Sequence, residues 1–224
     1  MTDSPTPRPI VLLHGLATSA RRTWVETGWV DLLRDAGREA LDLPGHGGTP
    51  GLDDWTQLEA WVAERLPNGP LDAVGFSLGA RTLLVIASQQ PARFERLVLA
   101  GIGANLWRRD GSSEQLASDL GQVDDDTHPL ARHFLALAES SGTDPTAVRG
   151  LLSTPRAPLE DDALGAIESD VLVALGTEDF AGPAQPLMDR LPKARLVELR
   201  GVDHFATPKS MAFLDAGLTH LGAA

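Results

Sequence analysis

An α/β architecture, with a mainly parallel sheet of about six strands covered by helices on both faces, is predicted by three features of this sequence. Short apolar runs alternate with stretches of helical spacing along most of the chain. Several of those runs end in glycine turns, as at His14-Gly15 and Pro44-Gly45-His46-Gly47-Gly48. A length of 224 residues, 42% of them hydrophobic, fits one core and would leave two cores small.

Residues 10–13 are apolar, β-branched at their start and closed by His14-Gly15, which predicts a buried strand ending in a turn. Residues 24–36 have helical spacing. A weaker strand at 39–43 runs into the glycine turn at 44–48, and 55–66 places Trp55, Leu58, Trp61, Val62 and Leu66 on one helical face. Residues 71–76 are predicted as a strand, 78–89 as a helix, 96–100 and 170–175 as strands, 183–191 as a helix, 195–199 as a strand and 208–221 as a helix.

The interval 105–169 breaks this rhythm, with helix-like pieces near 113–120 and 130–140 and no strand. It is expected to be a small helical lid, inserted into a core made of residues 1–104 and 170–224. Its acidic blocks, Asp124-Asp125-Asp126 and Glu160-Asp161-Asp162, read as solvated loop surface rather than as metal sites.

Composition narrows the chemistry. A formal net charge of -12 repels polyanions, so nucleic acid is not an expected partner. Without cysteine there is no disulfide, thiolate metal site or thiol nucleophile. No cofactor or metal is implied, which leaves oxygen and nitrogen groups acting on a small-molecule substrate. The first nine residues are polar and proline-rich without the basic start and apolar stretch of a signal peptide, and no apolar run spans a bilayer. A soluble cytoplasmic protein is expected.

Gly75-Phe76-Ser77-Leu78-Gly79 lies between an apolar strand and a helical stretch. A serine at so sharp a turn is exposed by a strained backbone, and small residues two before and two after it let neighbouring backbone pass close. The amide of Leu78 then opens a helix and can stabilise an oxyanion forming beside Ser77. A glycine-flanked helix cap is the bland alternative. A serine hydroxyl needs a base, and of six histidines His204 follows the last strand, on the same edge as Ser77. His14 and His46 share that edge but sit in tight turns, and read as structural or site-lining. His128, His133 and His220 read as surface or packing residues. For the carboxylate that orients the base, Asp179, just past a strand, is preferred to Glu178 and to Asp203, which adjoins His204 too closely to turn onto its ring.

His14-Gly15, Asp42-Leu43-Pro44-Gly45-His46-Gly47, Gly75-Phe76-Ser77-Leu78-Gly79, Gly176-Thr177-Glu178-Asp179 and Asp203-His204, in this order, resemble the motifs of the α/β-hydrolase superfamily over nearly the whole chain. The resemblance implies a serine hydrolase with Ser77 as nucleophile, Asp179 as acid, His204 as base and the Leu16 amide as a second oxyanion donor. The first two strands of the family sheet look absent, and Leu16 stands where some esterases carry further glycines.

The resulting expectation is cleavage of a small to medium ester, thioester or lactone through an acyl-enzyme. Leu106, Trp107, Leu130, Phe134 and Leu137 are candidates for an apolar acyl pocket, with lid packing as the competing explanation. Ser77-Leu78-Gly79-Ala80-Arg81 also resembles the serine region of the menaquinone-pathway synthase, a cofactor-free lyase that eliminates pyruvate; there Arg81 would bind a substrate carboxylate rather than pair with a surface acid. Arg108, Arg109, Arg132 and Arg156 are further candidates for acidic substrate. A non-catalytic binding protein is the third class, disfavoured by the intact set of Ser77, Asp179 and His204.

Overall fold

Apolar runs, largely buried, form the inner strands β1 (Ile10–Leu13), β3 (Leu71–Phe76), β4 (Phe94–Ala100) and β5 (Asp170–Gly176), and the part-exposed β2 (Arg38–Leu41) and β6 (Ala194–Leu199) form the edges. The computed structural model describes residues 8–33, 37–108, 110–121, 128–156 and 158–223. Among these residues the strands make one sheet in the order β2-β1-β3-β4-β5-β6, with every neighbouring pair parallel. The helices are α1 (Trp29–Leu32), α2 (Leu58–Ala63), α3 (Leu78–Gln89), α4 (Ser112–Asp119), α5 (Pro129–Ser141), α6 (Pro145–Ser153), α7 (Asp161–Gly165), α8 (Gln185–Met188) and α9 (Met211–Leu221).

The two-residue period of a strand sends alternate side chains to opposite faces, and helices cover both. Val11, Leu13, Ala73 and Leu99 pack with α2 and α3 on one side, while Leu12, Val74, Val98 and Leu172 pack with α1 and α9 on the other. The expected α/β sheet is therefore present. A buried charge fixes its lower edge: Asp72 is fully enclosed and accepts hydrogen bonds from Arg96 Nη2 at 2.6 Å, Arg96 Nε at 3.1 Å and the Arg96 amide at 3.1 Å.

Several expected helices are shorter or divided. The segment predicted as one helix over 24–36 is a π-helical turn, Arg21–Val25, followed by α1, because Gly28 at φ 89 breaks the ladder between them. Residues 34–36 of that prediction lie outside the described residues. The segment 55–66 opens with a 3₁₀ turn, Trp55–Gln57, held by the Asp54 carboxylate on the Thr56 amide, before α2 begins. The helix expected over 183–191 contracts to the single turn of α8. Residues 208–221 divide at Ser210, whose hydroxyl caps the Phe213 amide and starts α9.

Between β4 and β5 the pieces expected near 113–120 and 130–140 are α4 and α5, and two unexpected helices follow. Asp144 accepts from the Thr146 amide at 2.8 Å, Pro145 takes the first helical position, and α6 buries Ala147, Val148 and Leu151. Glu160-Asp161-Asp162, expected as loop, is instead the start of α7, where the first-turn carboxylates of Asp161 and Asp162 oppose the positive end of the helix dipole. Asp161 also accepts from Arg190 Nε at 2.6 Å. Asp124-Asp125-Asp126 and Arg109 lie outside the described residues. Among the described residues, no helix is long and apolar enough to cross a membrane.

Trp29 is fully buried, edge-on to Trp24 at 5.5 Å and 4.9 Å from Phe213 of α9, so it ties the divided segment to the sheet. Trp29→Ala is expected to lower unfolding free energy by about 3–5 kcal/mol, the range for emptying a large aromatic site. Urea denaturation measures it, and a loss under about 1 kcal/mol would remove Trp29 from the core.

Candidate active site

Ser77 is the one residue separating the end of β3 from the start of α3, and its backbone is bent to φ 53 and ψ -111. Holding a side chain there costs roughly 1–3 kcal/mol, which neighbouring contacts must offset. They do so at close range: the Ser77 amide donates to Ala100 O at 2.8 Å and Ser77 O accepts from the Arg81 amide at 2.9 Å. A side chain at Gly75 would stand 2.5 Å from the Ala80 backbone, and one at Gly79 2.3 Å from Leu13 O. Glycine at both positions is what lets α3 approach the sheet this closely, and the turn carries the Ser77 hydroxyl to the C-terminal strand edge.

The loop after β6 brings His204 to the same edge. Its Nε2 lies 3.0 Å from Ser77 Oγ, and its Nδ1 lies 2.8 Å and 3.0 Å from the two oxygens of Asp179. With Nδ1–H donating to the carboxylate, Nε2 is the acceptor for the serine hydroxyl. Both side chains of the His204–Asp179 pair are almost sealed from solvent, at 4% and 0% accessibility, which strengthens their attraction. Asp179 Oδ1 also accepts from the Ala181 amide at 2.8 Å. The rival carboxylates lie elsewhere: Glu178 is exposed, and Asp203 accepts from the Ala206 amide at 2.8 Å within its own turn.

The proposed oxyanion donors flank the serine. Leu78 is the first residue of α3, where amides have no intrahelical acceptor. Leu16 follows Gly15, at which a side chain would come within 3.3 Å of Ser77 Cβ.

His14 and His46, read as structural or site-lining, exchange bonds between the loops after β1 and β2. The Leu43 amide donates to His14 Nε2 at 3.0 Å and the Ala17 amide to His46 Nε2 at 3.1 Å. Each Nε2 is therefore an acceptor, so each Nδ1–H donates, to Gly15 O at 2.7 Å and to Pro44 O at 2.8 Å. Burial pushes His14 down to about 4; burial, then the neighbouring His14, pushes His46 down to about 3.

Of the remaining candidates, Arg81 is joined to Glu59 at 2.8 Å, and Arg156 is pushed down to about 10 by burial and by the charge of Arg81. The ring of Trp107 lies under the Arg190 guanidinium at 4.6 Å. Phe134 is buried among α5 and α6 residues and meets Phe205 edge-on at 5.6 Å. Leu106 packs on the main core, and Leu130 and Leu137 on the α5 cluster. Arg132 is exposed. His128 accepts from the Leu130 amide, His133 stacks on Phe205 at 4.0 Å, and buried His220 bonds Asp170 O at 3.0 Å.

Sequence reasoning missed one site residue and the role of another. Phe180, 43% exposed, lays its ring 4.2 Å from the His204 imidazole, which Phe76 flanks at 5.0 Å. An aromatic residue immediately after the favoured acid was the available signal. Arg108, read as a candidate for acidic substrate, donates to Phe180 O at 2.8 Å and Gly182 O at 3.0 Å, so it holds the loop that carries Asp179. Nothing in sequence spacing marks that contact.

A sequence model of the alpha/beta hydrolase family matches residues 10–216. The chain belongs to the alpha/beta hydrolase family. Within it, the chain is 31% identical over 222 residues to a pimeloyl-[acyl-carrier protein] methyl ester esterase of Nitrosomonas europaea, covering 84% of this chain and 85% of that one. It is 34% identical over 117 residues to the 2-succinyl-6-hydroxy-2,4-cyclohexadiene-1-carboxylate synthase of Escherichia coli, covering 49% and 44%. A solved hydrolase from Pseudomonas aeruginosa superposes with a TM-score of 0.71 at 25% identity, over 98% of this chain and 91% of the other. This alpha/beta hydrolase is an enzyme of the hydrolase class.

Its two buried neutral histidines give an acid sensitivity of definite sign. A free imidazole titrates near 6.5. As pH falls below that value the unfolded chain binds protons that native His14 and His46 refuse, so stability falls until about 4 for His14 and about 3 for His46. Each site adds a slope of up to about 1.4 kcal/mol per pH unit. Urea midpoints between about pH 7 and 4 are expected to decline less steeply in His14→Asn than in wild type; parallel curves would mean that native His14 titrates normally.

Proposed function

We propose that this alpha/beta hydrolase cleaves a small to medium carboxylic ester, thioester or lactone through an acyl-enzyme on Ser77. The observation that supports this most directly is the continuous chain of bonds from Asp179 through both nitrogens of His204 to the Ser77 hydroxyl. Relatives named as ester hydrolases over most of their length support the same reaction class.

In this reading Ser77 Oγ attacks the acyl carbonyl while His204 Nε2 takes its proton, and Asp179 stabilises the imidazolium that forms. The carbonyl oxygen becomes an oxyanion received by the Leu16 and Leu78 amides. Collapse breaks the bond to the leaving group, which takes the proton from His204. Water then repeats the sequence, giving its proton to His204 and its oxygen to the acyl carbon, so that the acid leaves and Ser77 regains its proton. Residues 105–169 act as the lid: α5 meets the histidine loop through His133 and Phe134 on Phe205. Trp107 and Phe134 are assigned to the lid side of the acyl pocket.

A second reading, lyase chemistry with the same triad as base, is supported by the partial match to the Escherichia coli synthase and by Arg81, which lies one helical turn beyond Ser77 and near enough to Arg156 for its charge to help depress that guanidinium. Arg81 would then bind a substrate carboxylate alongside its Glu59 partner.

Mass spectrometry of fluorophosphonate-treated protein is expected to find the label on Ser77, and Ser77→Ala to lose p-nitrophenyl acetate turnover. A label on another serine would overturn the assignment. Pyruvate release without ester turnover would favour the lyase. Asp179→Asn is expected to slow turnover about ten-thousandfold, as loss of the orienting carboxylate does elsewhere, and Glu178→Gln far less; the reverse ranking would move the acid to Glu178.

A further inference from the structure

The proposed mechanism requires a Leu16 amide that faces the serine before substrate arrives, because a donor that must reorient during the reaction loses much of its advantage. Leu16 lies in a loop, and loops do not hold amides still without partners. The partners here are the two imidazoles that the chemistry leaves unused. The Leu16 N–H belongs to the same planar trans peptide as Gly15 O, so fixing that carbonyl fixes the amide on the opposite side of the plane. His14 Nδ1–H donates to Gly15 O at 2.7 Å. The next peptide presents the Ala17 N–H, and His46 Nε2 accepts it at 3.1 Å.

Two consecutive peptide planes are thereby pinned, one by each histidine. The conformation they hold is not one the chain would choose: Ala17 is a non-glycine residue at φ 60, where a side chain is disfavoured. Both rings are themselves anchored, His14 by the Leu43 amide and His46 by Pro44 O, and their centroids lie 5.2 Å apart. The turn that joins α5 to α6 braces the same loops: Ser141 Oγ lies 3.0 Å from Ala17 O, Thr143 Oγ1 lies 3.2 Å from Thr18 O, and the Asp144 amide donates to Gly45 O at 2.9 Å.

We propose that His14 and His46 are positioning residues for the oxyanion site, holding the Leu16 amide toward Ser77 by fixing the two peptide planes on either side of it. The proposal rests on the acyl-enzyme reading above. It assigns each ring a different working nitrogen, Nδ1 in His14 and Nε2 in His46, and that difference makes it testable. An asparagine amide reaches about as far as Nδ1 and a glutamine amide about as far as Nε2. At position 14, therefore, His14→Asn should keep the bond to Gly15 O and His14→Gln should lose it. At position 46 the order reverses: His46→Gln should reach the Ala17 amide and His46→Asn should not.

The four variants would be compared with wild type on p-nitrophenyl acetate and for inhibition by a trifluoromethyl ketone, whose enzyme adduct carries an oxyanion. His14→Gln and His46→Asn are expected to lower kcat by about 10- to 100-fold, toward the loss seen when an oxyanion donor is removed, with KM changed less than about twofold and inhibitor Ki raised by the same factor as kcat falls. His14→Asn and His46→Gln should recover most of both. A role confined to packing or stability would rank the two amides alike at both positions. The same ranking at 14 and 46, wild-type kcat in the two poor variants, or a folded His14→Asn or His46→Gln still slowed tenfold would each overturn the proposal. Should the poor variants fail to fold, the two conservative ones decide it alone. Failure of the underlying reading looks different: wild type itself would show no Ser77-dependent turnover and no label on Ser77.

Discussion

Ser77 occupies a backbone conformation that no isolated peptide would hold, and most of the site follows from what holds it. With one residue between β3 and α3, the helix has to start against the strand ends, and Gly75 and Gly79 are the positions at which a single methyl group would collide with backbone. The cost of the bend is met by the surrounding sheet, since the Ser77 amide is bonded to β4 and the helix is buried along most of its length. A central strand flanked by parallel neighbours is the stiffest place the fold offers for such a bend. This explains why the nucleophile candidate sits there and why the other two members arrive on loops.

Those loops are stiffened by different means. The Asp179 loop is tied to the segment after β4 by backbone bonds from Ala104 and Asn105 to Pro183 O and Ala181 O, and by the Arg108 fork on Phe180 O and Gly182 O. Gly176 lets the His204 loop close onto this one, because a side chain there would lie 2.0 Å from Val202 O. The loops that carry Asp179 and His204 are thus held against each other independently of the serine turn. Phe180 and Phe76 flank the imidazole and exclude water from part of its surface, which raises the value of the Asp179 contact without adding a polar group.

How much of this was legible in the sequence depended on the range of the interaction that decides each feature. β3, β1 and α3 match their expected limits because continuous apolar runs and a following glycine are local signals. The helix expected from Trp24 onward failed because periodicity is blind to a positive φ: Trp24 and Trp29 are both buried, as the pattern required, but from two separate turns. The Asp144-Pro145 start of α6 is a local cap signal that helical spacing alone does not pick out. The choice of Asp179 over Asp203 followed from chain geometry, and the structure shows Asp203 engaged within its own turn. The Arg108 fork and the crossed bonds of His14 and His46 join segments distant in sequence, and no spacing rule reaches them.

Three histidines share this one strand edge, and the atoms facing each nitrogen separate their chemistry. In His14 and His46 a backbone N–H points at Nε2, so a proton there would set donor against donor inside a sealed pocket; neutrality is imposed by the hydrogen-bond pattern as well as by burial. In His204 the same atom faces a hydroxyl, which can reverse its role, and the opposite nitrogen faces a carboxylate that gains from a positive ring. Only the third environment sets a hydroxyl against Nε2 and a carboxylate against Nδ1, the arrangement that the proposed general base needs. A backbone N–H in place of a hydroxyl at Nε2 is therefore what sets His14 and His46 apart from the proposed base, and the sequence neighbourhoods of the three residues, each beside glycine or a turn, do not record the difference.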